Sequence, residues 1–335
     1  MDMYVRGVLA LAPTLVVAVA CFAADCWAAE LVEVRKIWDK APHNAFTDLV
    51  RFKGEWYCCF REGEKHVSPD GALRVIASPD GVEWTSVAHM TSETADLRDA
   101  KLTITPDNRL MLSGAAAVHQ PADIRHQTYA WFSADGREWS GGVKIGEPDF
   151  WLWRVTWHKG VAAGIGYHTG GEPRSIRLYR SDDGRSFDTW VENLFDVGRP
   201  SETSLVYLED DTCLCLVRRD GEPDTAQLGL SKPPYKQWMW KDLGVRIGGP
   251  HMTELPDGRL VAGGRSYEGG AHTTLWWLDA EAGRLEEIIT LPSGGDTSYP
   301  GLVFHDGLLW VSYYASHEGK TSIYLAKVKL PRSER

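Results

Sequence analysis

Short apolar runs alternate with turn residues along most of this chain, and the runs come in pairs. One unit recurs: an apolar run, a tight turn holding Gly or Asp, a second apolar run, then a loop and a third run. The paired runs read LVRFKGEWYCCFRE, KLTITPDNRLMLSGA, RVTWHKGVAAGIGYH, SLVYLEDDTCLCLVRR, MTELPDGRLVAGGRS and GLVFHDGLLWVSYYA. Lys53-Gly54, Lys159-Gly160, Asp257-Gly258 and Asp306-Gly307 are hairpin signals, because tight hairpin turns need the positive φ that Gly reaches without strain. First runs begin near Asp48, Asp99, Arg154, Glu202, His251 and Tyr299, 48 to 55 residues apart. Such a period marks a repeat architecture, and no amphipathic helical stretch competes with it. Six units of ~50 residues, each worth about four strands, predict an all-β fold, a six-bladed β-propeller. The last unit ends in SIYLAKVKL and lacks a fourth strand. LVEVRKIW, before the first unit, is predicted to supply it, which closes the ring and removes two open sheet edges.

Three turns are nearly identical: Ser78-Pro79-Asp80-Gly81-Val82-Glu83-Trp84, Ser133-Ala134-Asp135-Gly136-Arg137-Glu138-Trp139 and Ser181-Asp182-Asp183-Gly184-Arg185-Ser186-Phe187. The Asp side chain accepts hydrogen bonds within its own turn, and Gly permits positive φ. The terminal aromatic is free to pack beneath. These turns resemble the Asp-box repeats of the sialidase superfamily, shortened by one residue. The resemblance implies a six-bladed β-propeller of sialidase type, with Asp80, Asp135 and Asp183 as structural residues.

The formal net charge is −10, with no basic patch, so nucleic acid is excluded as a partner class. An anionic ligand would need a local arginine cluster, since the chain as a whole repels it. Arg6 precedes an apolar stretch from Gly7 to Ala24, and small residues follow. This reads as a signal peptide, residues 1–29, cut near Ala28 or Ala29. The rest, 30–335, is expected to be a single propeller domain, monomeric and exported: periplasmic, secreted or held at the cell surface. Cys21 offers a lipid-attachment site. No later stretch approaches ~20 apolar residues, so no transmembrane span is expected after signal removal. Cys58-Cys59 and Cys213-x-Cys215 sit inside apolar runs and read as buried small side chains rather than zinc ligands. With no phosphate loop and no metal-ligand spacing, neither cofactor nor metal is expected.

Hairpin topology sorts polar residues onto one face of the ring. Starts of first strands contribute Asp48, Asp99, Arg154, Glu202, His251 and Tyr299. Ends of second strands contribute Arg61, His168, Arg218, Arg265 and Tyr313. Glu202, sixteen residues before Arg218 across one hairpin, resembles the Glu and substrate-binding Arg that share a sialidase blade. Ser298-Tyr299 resembles the segment of the nucleophilic Tyr, and Arg265 and Arg61 resemble further substrate-binding arginines. The resemblance implies a glycan substrate whose acidic sugar is held by Arg218, Arg265 and Arg61. It implies Tyr299 as nucleophile, Glu202 as its base, and Asp70 or Asp99 as proton donor. A Tyr nucleophile suits such a sugar, because a carboxylate nucleophile would be repelled by the substrate's own carboxylate.

The chain also departs from that family. The Arg-Ile-Pro motif that opens the first blade is missing, and Asp48 stands there, leaving Arg154 as a substitute. Glu318 falls in a loop rather than where a steadying carboxylate belongs. Asp48, Asp99 and Glu202 also resemble the three-carboxylate sites of five-bladed hydrolases acting on neutral sugars. A non-catalytic glycan-binding propeller is a third reading. Trp151 and Trp153 could form a sugar platform or simply pack, and His66 and His168 are placed at the rim.

Overall fold

β-branched and aromatic residues fill the paired runs, and such residues suit a pleated, half-buried surface. They form twenty-four strands; the computed structural model describes residues 28–119 and 123–332, and among these there is no helix. The strands make six four-stranded antiparallel sheets. The inner strands are His43–Phe52, Ala95–Ile104, Phe150–His158, Pro200–Tyr207, Gly248–Glu254 and Thr297–His305. Each touches the next, and the last touches the first, so the blades close into a ring. Glu30–Trp38 pairs antiparallel with Ser322–Lys329 and completes the sixth blade, as its sequence predicted. The expected leader, residues 1–29, lies almost wholly outside the described residues. No described helix is long and apolar enough to cross a membrane.

Apolar side chains from facing sheets form six clusters, one between each pair of adjacent blades. Leu73 and Val75 meet Leu102 and Leu112, for example, and Leu216 and Leu228 meet Ile247 and Ala262. The four described cysteines are buried and free, and all belong to these sheets. Trp151 and Trp153 are buried too: Trp151 stacks on Tyr167, their rings 5.8 Å apart. They therefore pack, rather than offering a sugar platform.

The three similar turns share one hydrogen-bond pattern. In the second, Ser133 Oγ accepts from the Gly136 amide at 2.8 Å, and Asp135 Oδ1 accepts from the Arg137 and Glu138 amides at 2.8 Å. Gly136 has φ +78°, and a Cβ there would lie 2.3 Å from Tyr57 of the preceding blade. The turn thus locks blade to blade, on the face opposite the inner-strand starts.

All six inner strands share one feature that leaves no mark on the apolar pattern. Each carries a β-bulge at the same level, where two of its residues oppose one on the second strand. The pairs are Phe46-Thr47, Asp99-Ala100, Trp153-Arg154, Ser201-Glu202, Gly249-Pro250 and Tyr299-Pro300. Bulges bend a strand and re-aim its side chains. Phe46, Asp99, Ser298 and Tyr299 all have positive φ, an uncommon state for non-glycine residues. Strain of this kind gathers at functional sites.

Candidate active site

The layer of bulges splits the predicted axial residues into two groups. Asp48, Arg154 and His251 line a channel of about 370 Å³ on one side. Asp99, Glu202 and Tyr299 do not reach it; Glu202 and Tyr299 meet on the other side of the layer.

Tyr299 is the centre of the second group. Its hydroxyl donates to Glu202 Oε1 at 2.6 Å, and Arg218 Nη1 donates to both the Tyr299 oxygen (3.0 Å) and Glu202 Oε2 (2.8 Å). The Gly249 amide also donates to Glu202 Oε2, at 2.8 Å. Glu202 and Arg218 face each other across the bulge of one hairpin, so the sixteen-residue spacing places them directly. The Arg265 guanidinium lies 5.5 Å from the Tyr299 ring centre. Phe46 and Trp153 pack around that ring at 5.1 and 5.8 Å. Below it, the buried Lys101 ammonium lies 4.9 Å from the Trp153 ring and 5.9 Å from the Tyr299 ring.

The electrostatics favour a protonated phenol at rest. Burial pushes the Tyr299 hydroxyl well above the usual tyrosine range and the Glu202 charge adds to it, while Arg218 and Arg265 oppose. Burial also raises the Asp99 carboxyl, against the pull of Arg98 and Lys101. Burial works against the Arg218 charge, but Glu202, Tyr299 and Asp220 outweigh it and hold the guanidinium firmly protonated.

The other predicted residues fall elsewhere. Arg61 has 0% of its side chain exposed. It donates to Asp96 Oδ1 at 2.8 Å, to the Lys65 carbonyl at 2.8 Å and to the Ser68 carbonyl at 3.2 Å. A guanidinium so enclosed has nothing to offer an incoming carboxylate, whereas Arg218 and Arg265 keep 17% and 15% of their side chains exposed. Asp70 is exposed in its loop and accepts the Glu64 amide at 3.0 Å. Hydrogen bonds from Ser68 and that amide hold its carboxyl below the usual range, which suits a base better than a proton donor. Asp48 pairs with Arg154 at 2.9 Å in the channel, so neither joins the Tyr299 group.

Further polar residues stand around this site. Asp296, just before the last inner strand, accepts from Tyr314 (2.8 Å) and Arg265 (3.3 Å) on Oδ1. His43 and His66 converge on its Oδ2. Arg98 lies over the Phe46 ring at 5.3 Å and 3.9 Å from Asp99. His66, placed at the rim, and Arg98, the neighbour of Asp99 in a charged pair, were within reach; Asp296 sits in a loop with no motif around it.

No family model matches this chain, and no curated protein matches it. Solved structures do. A Dyadobacter fermentans protein of unknown function superposes with a TM-score of 0.80 at 20% identity, over 90% of this chain and 99% of that one. An α-L-arabinofuranosidase from Fusarium graminearum gives 0.70 at 14% identity, over 89% and 98%. A Trypanosoma rangeli sialidase gives 0.67 at 13% identity, over 86% of this chain and 55% of that one. The fold is therefore the six-bladed propeller of the sialidase type.

Proposed function

We propose that this chain is an exported exo-glycosidase that removes a terminal acidic, sialic-acid-like sugar from glycans. The observation that carries the reading is the 2.6 Å hydrogen bond from Tyr299 to Glu202, with Arg218 bonded to both. A phenol so placed becomes a nucleophile when its proton passes to the carboxylate. The Tyr299 oxygen attacks the anomeric carbon, the glycosidic bond breaks, and Asp99 protonates the leaving oxygen. Water then cleaves the glycosyl–tyrosine bond, with Asp99 as base, and Glu202 returns its proton to Tyr299. Arg218 limits the charge that builds on the phenolate.

Two arginines support an anionic sugar. Arg218 uses Nε on Asp220 and Nη1 on Glu202 and Tyr299; Arg265 uses Nε on the Thr297 carbonyl and Nη2 on Asp296 and Tyr314. Among the described residues Arg218 Nη2 and Arg265 Nη1 have no hydrogen-bond partner, and such nitrogens suit a carboxylate. The two similar enzymes, one a sialidase and one an arabinofuranosidase, support glycoside hydrolysis on this fold without choosing the sugar.

The test is turnover of aryl sialosides, aryl uronides and aryl arabinofuranosides by the purified protein and by Tyr299→Phe. We expect the acidic sugar to be released with retained configuration, and Tyr299→Phe to lose about 10³-fold or more in kcat. Neutral-sugar turnover that survives Tyr299→Phe would overturn this chemistry in favour of a mechanism carried by Asp99 and Glu202. Glycan affinity without released sugar would make the chain a binding propeller.

A further inference from the structure

Beside the Tyr299 group three side chains from distant parts of the chain meet. His43 opens the inner strand of blade one, His66 lies in the loop after its second strand, and Asp296 precedes the inner strand of blade six. His43 Nε2 lies 3.0 Å and His66 Nδ1 2.6 Å from the same oxygen, Asp296 Oδ2, and the three atoms all lie within 4.8 Å of one another. Tyr314 and Arg265 hold the other oxygen, Oδ1, which turns Oδ2 toward the two imidazoles. That is how outer partners orient a ligating carboxylate. Phe46 packs against both rings, at 6.3 and 5.1 Å, and walls one side with apolar surface. His66 is half-exposed, so an ion has a way in.

We propose that His43, His66 and Asp296 bind one divalent transition-metal ion, zinc best among them. Two imidazoles and one carboxylate are the donors of three-ligand zinc sites, which leave a position for water or a substrate oxygen. Calcium and magnesium prefer all-oxygen shells and are disfavoured. Ligands around a tetrahedral zinc at ~2.0–2.1 Å stand about 3.3 Å apart, so metal binding has to move Asp296 Oδ2 away from both imidazoles, farther from His66 Nδ1, now at 2.6 Å, than from His43 Nε2, now at 3.0 Å. The Arg265 charge next to Asp296 weakens the site, which sets the expected Kd on the order of micromolar. The ion is separate from the proton transfers at Tyr299, and its binding does not depend on the glycosidase reading.

The experiment uses tag-free protein, stripped by a chelator and titrated with Zn²⁺ or Co²⁺ alone. Calorimetry gives the stoichiometry, and the Co²⁺ absorption bands report nitrogen ligation. We expect one ion per chain, no binding of Ca²⁺ or Mg²⁺ at the same concentrations, and a loss of ~100-fold or more in affinity for His66→Ala and for Asp296→Asn. His66→Ala removes a half-exposed loop side chain and leaves the fold intact, so it decides the matter if Asp296→Asn unfolds. His168→Ala serves as a control that leaves binding unchanged. The proposal is overturned by no saturable binding below about 100 µM. It is equally overturned by one-site binding that His66→Ala leaves unaltered, which would mean an adventitious ion only.

Discussion

The buried Asp99 carboxyl responds to pH in a way that separates chemistry from stability. Burial raises the Asp99 carboxyl above its usual value. A proton donor must be protonated, so turnover falls as pH rises through that folded value. The same shift acts on folding. A raised carboxyl favours the native state fully below the unfolded pKa, and the contribution fades as pH rises through the folded one. Asp99→Asn cannot ionise. It should therefore gain on the wild type at neutral pH, by a few degrees in Tm, while kcat falls about 10²–10⁴-fold on substrates with poor leaving groups. An aryl substrate whose leaving group needs no proton should be spared most of that loss. Equal loss on both substrates, or a variant less stable at neutral pH, would remove Asp99 from the donor role.

At the scale of the strand, the bulge decides which residues reach the site. Gly249 belongs to the blade-five bulge with φ +59°, and a Cβ there would lie 2.6 Å from the Tyr299 ring. Its amide holds Glu202. Gly249→Ala is therefore expected to push the phenol off Glu202, lowering kcat ~10-fold or more. The strained backbone and the displaced ring should also cost about 1–3 kcal/mol of stability, read by urea unfolding. Wild-type kcat in this variant would show that the bulge geometry is not needed for catalysis. The same logic separates two arginines that read alike in sequence. Arg61 and Arg218 both end second strands, but the loop after Arg61 folds back over it through Lys65 and Ser68, while Arg218 opens toward the axis.

Ring closure belongs to the whole molecule. Trp38, at the end of the strand that completes blade six, packs at 5.8 Å from Phe60 of blade one and donates to Glu62 Oε1 at 2.6 Å. It ties the first strand of the chain to a sheet on the far side of the seam. Trp38→Ala leaves a cavity and takes the indole donor from Glu62 Oε1, while Oε2 keeps its pair with Arg74; the lost burial should cost roughly 3–5 kcal/mol in urea unfolding. A cost below ~1 kcal/mol would mean the seam closes without it.

The blades were legible in the sequence because each is local: a hairpin, a turn and a third strand within ~50 residues impose their own periodicity on apolar and turn residues. Closure was legible because the last unit lacked a strand and the first segment had one to spare. The Glu202–Arg218 pair was legible because it spans a single hairpin. The rest of the site was settled by tertiary structure. A bulge shifts the residues it re-aims without changing the apolar pattern, so nothing in that pattern separated Asp48 and Arg154, in the channel, from Glu202 and Tyr299 above it. His43 and Asp296 are 253 residues apart and meet only because the sixth blade closes on the first; no spacing rule reaches across a ring.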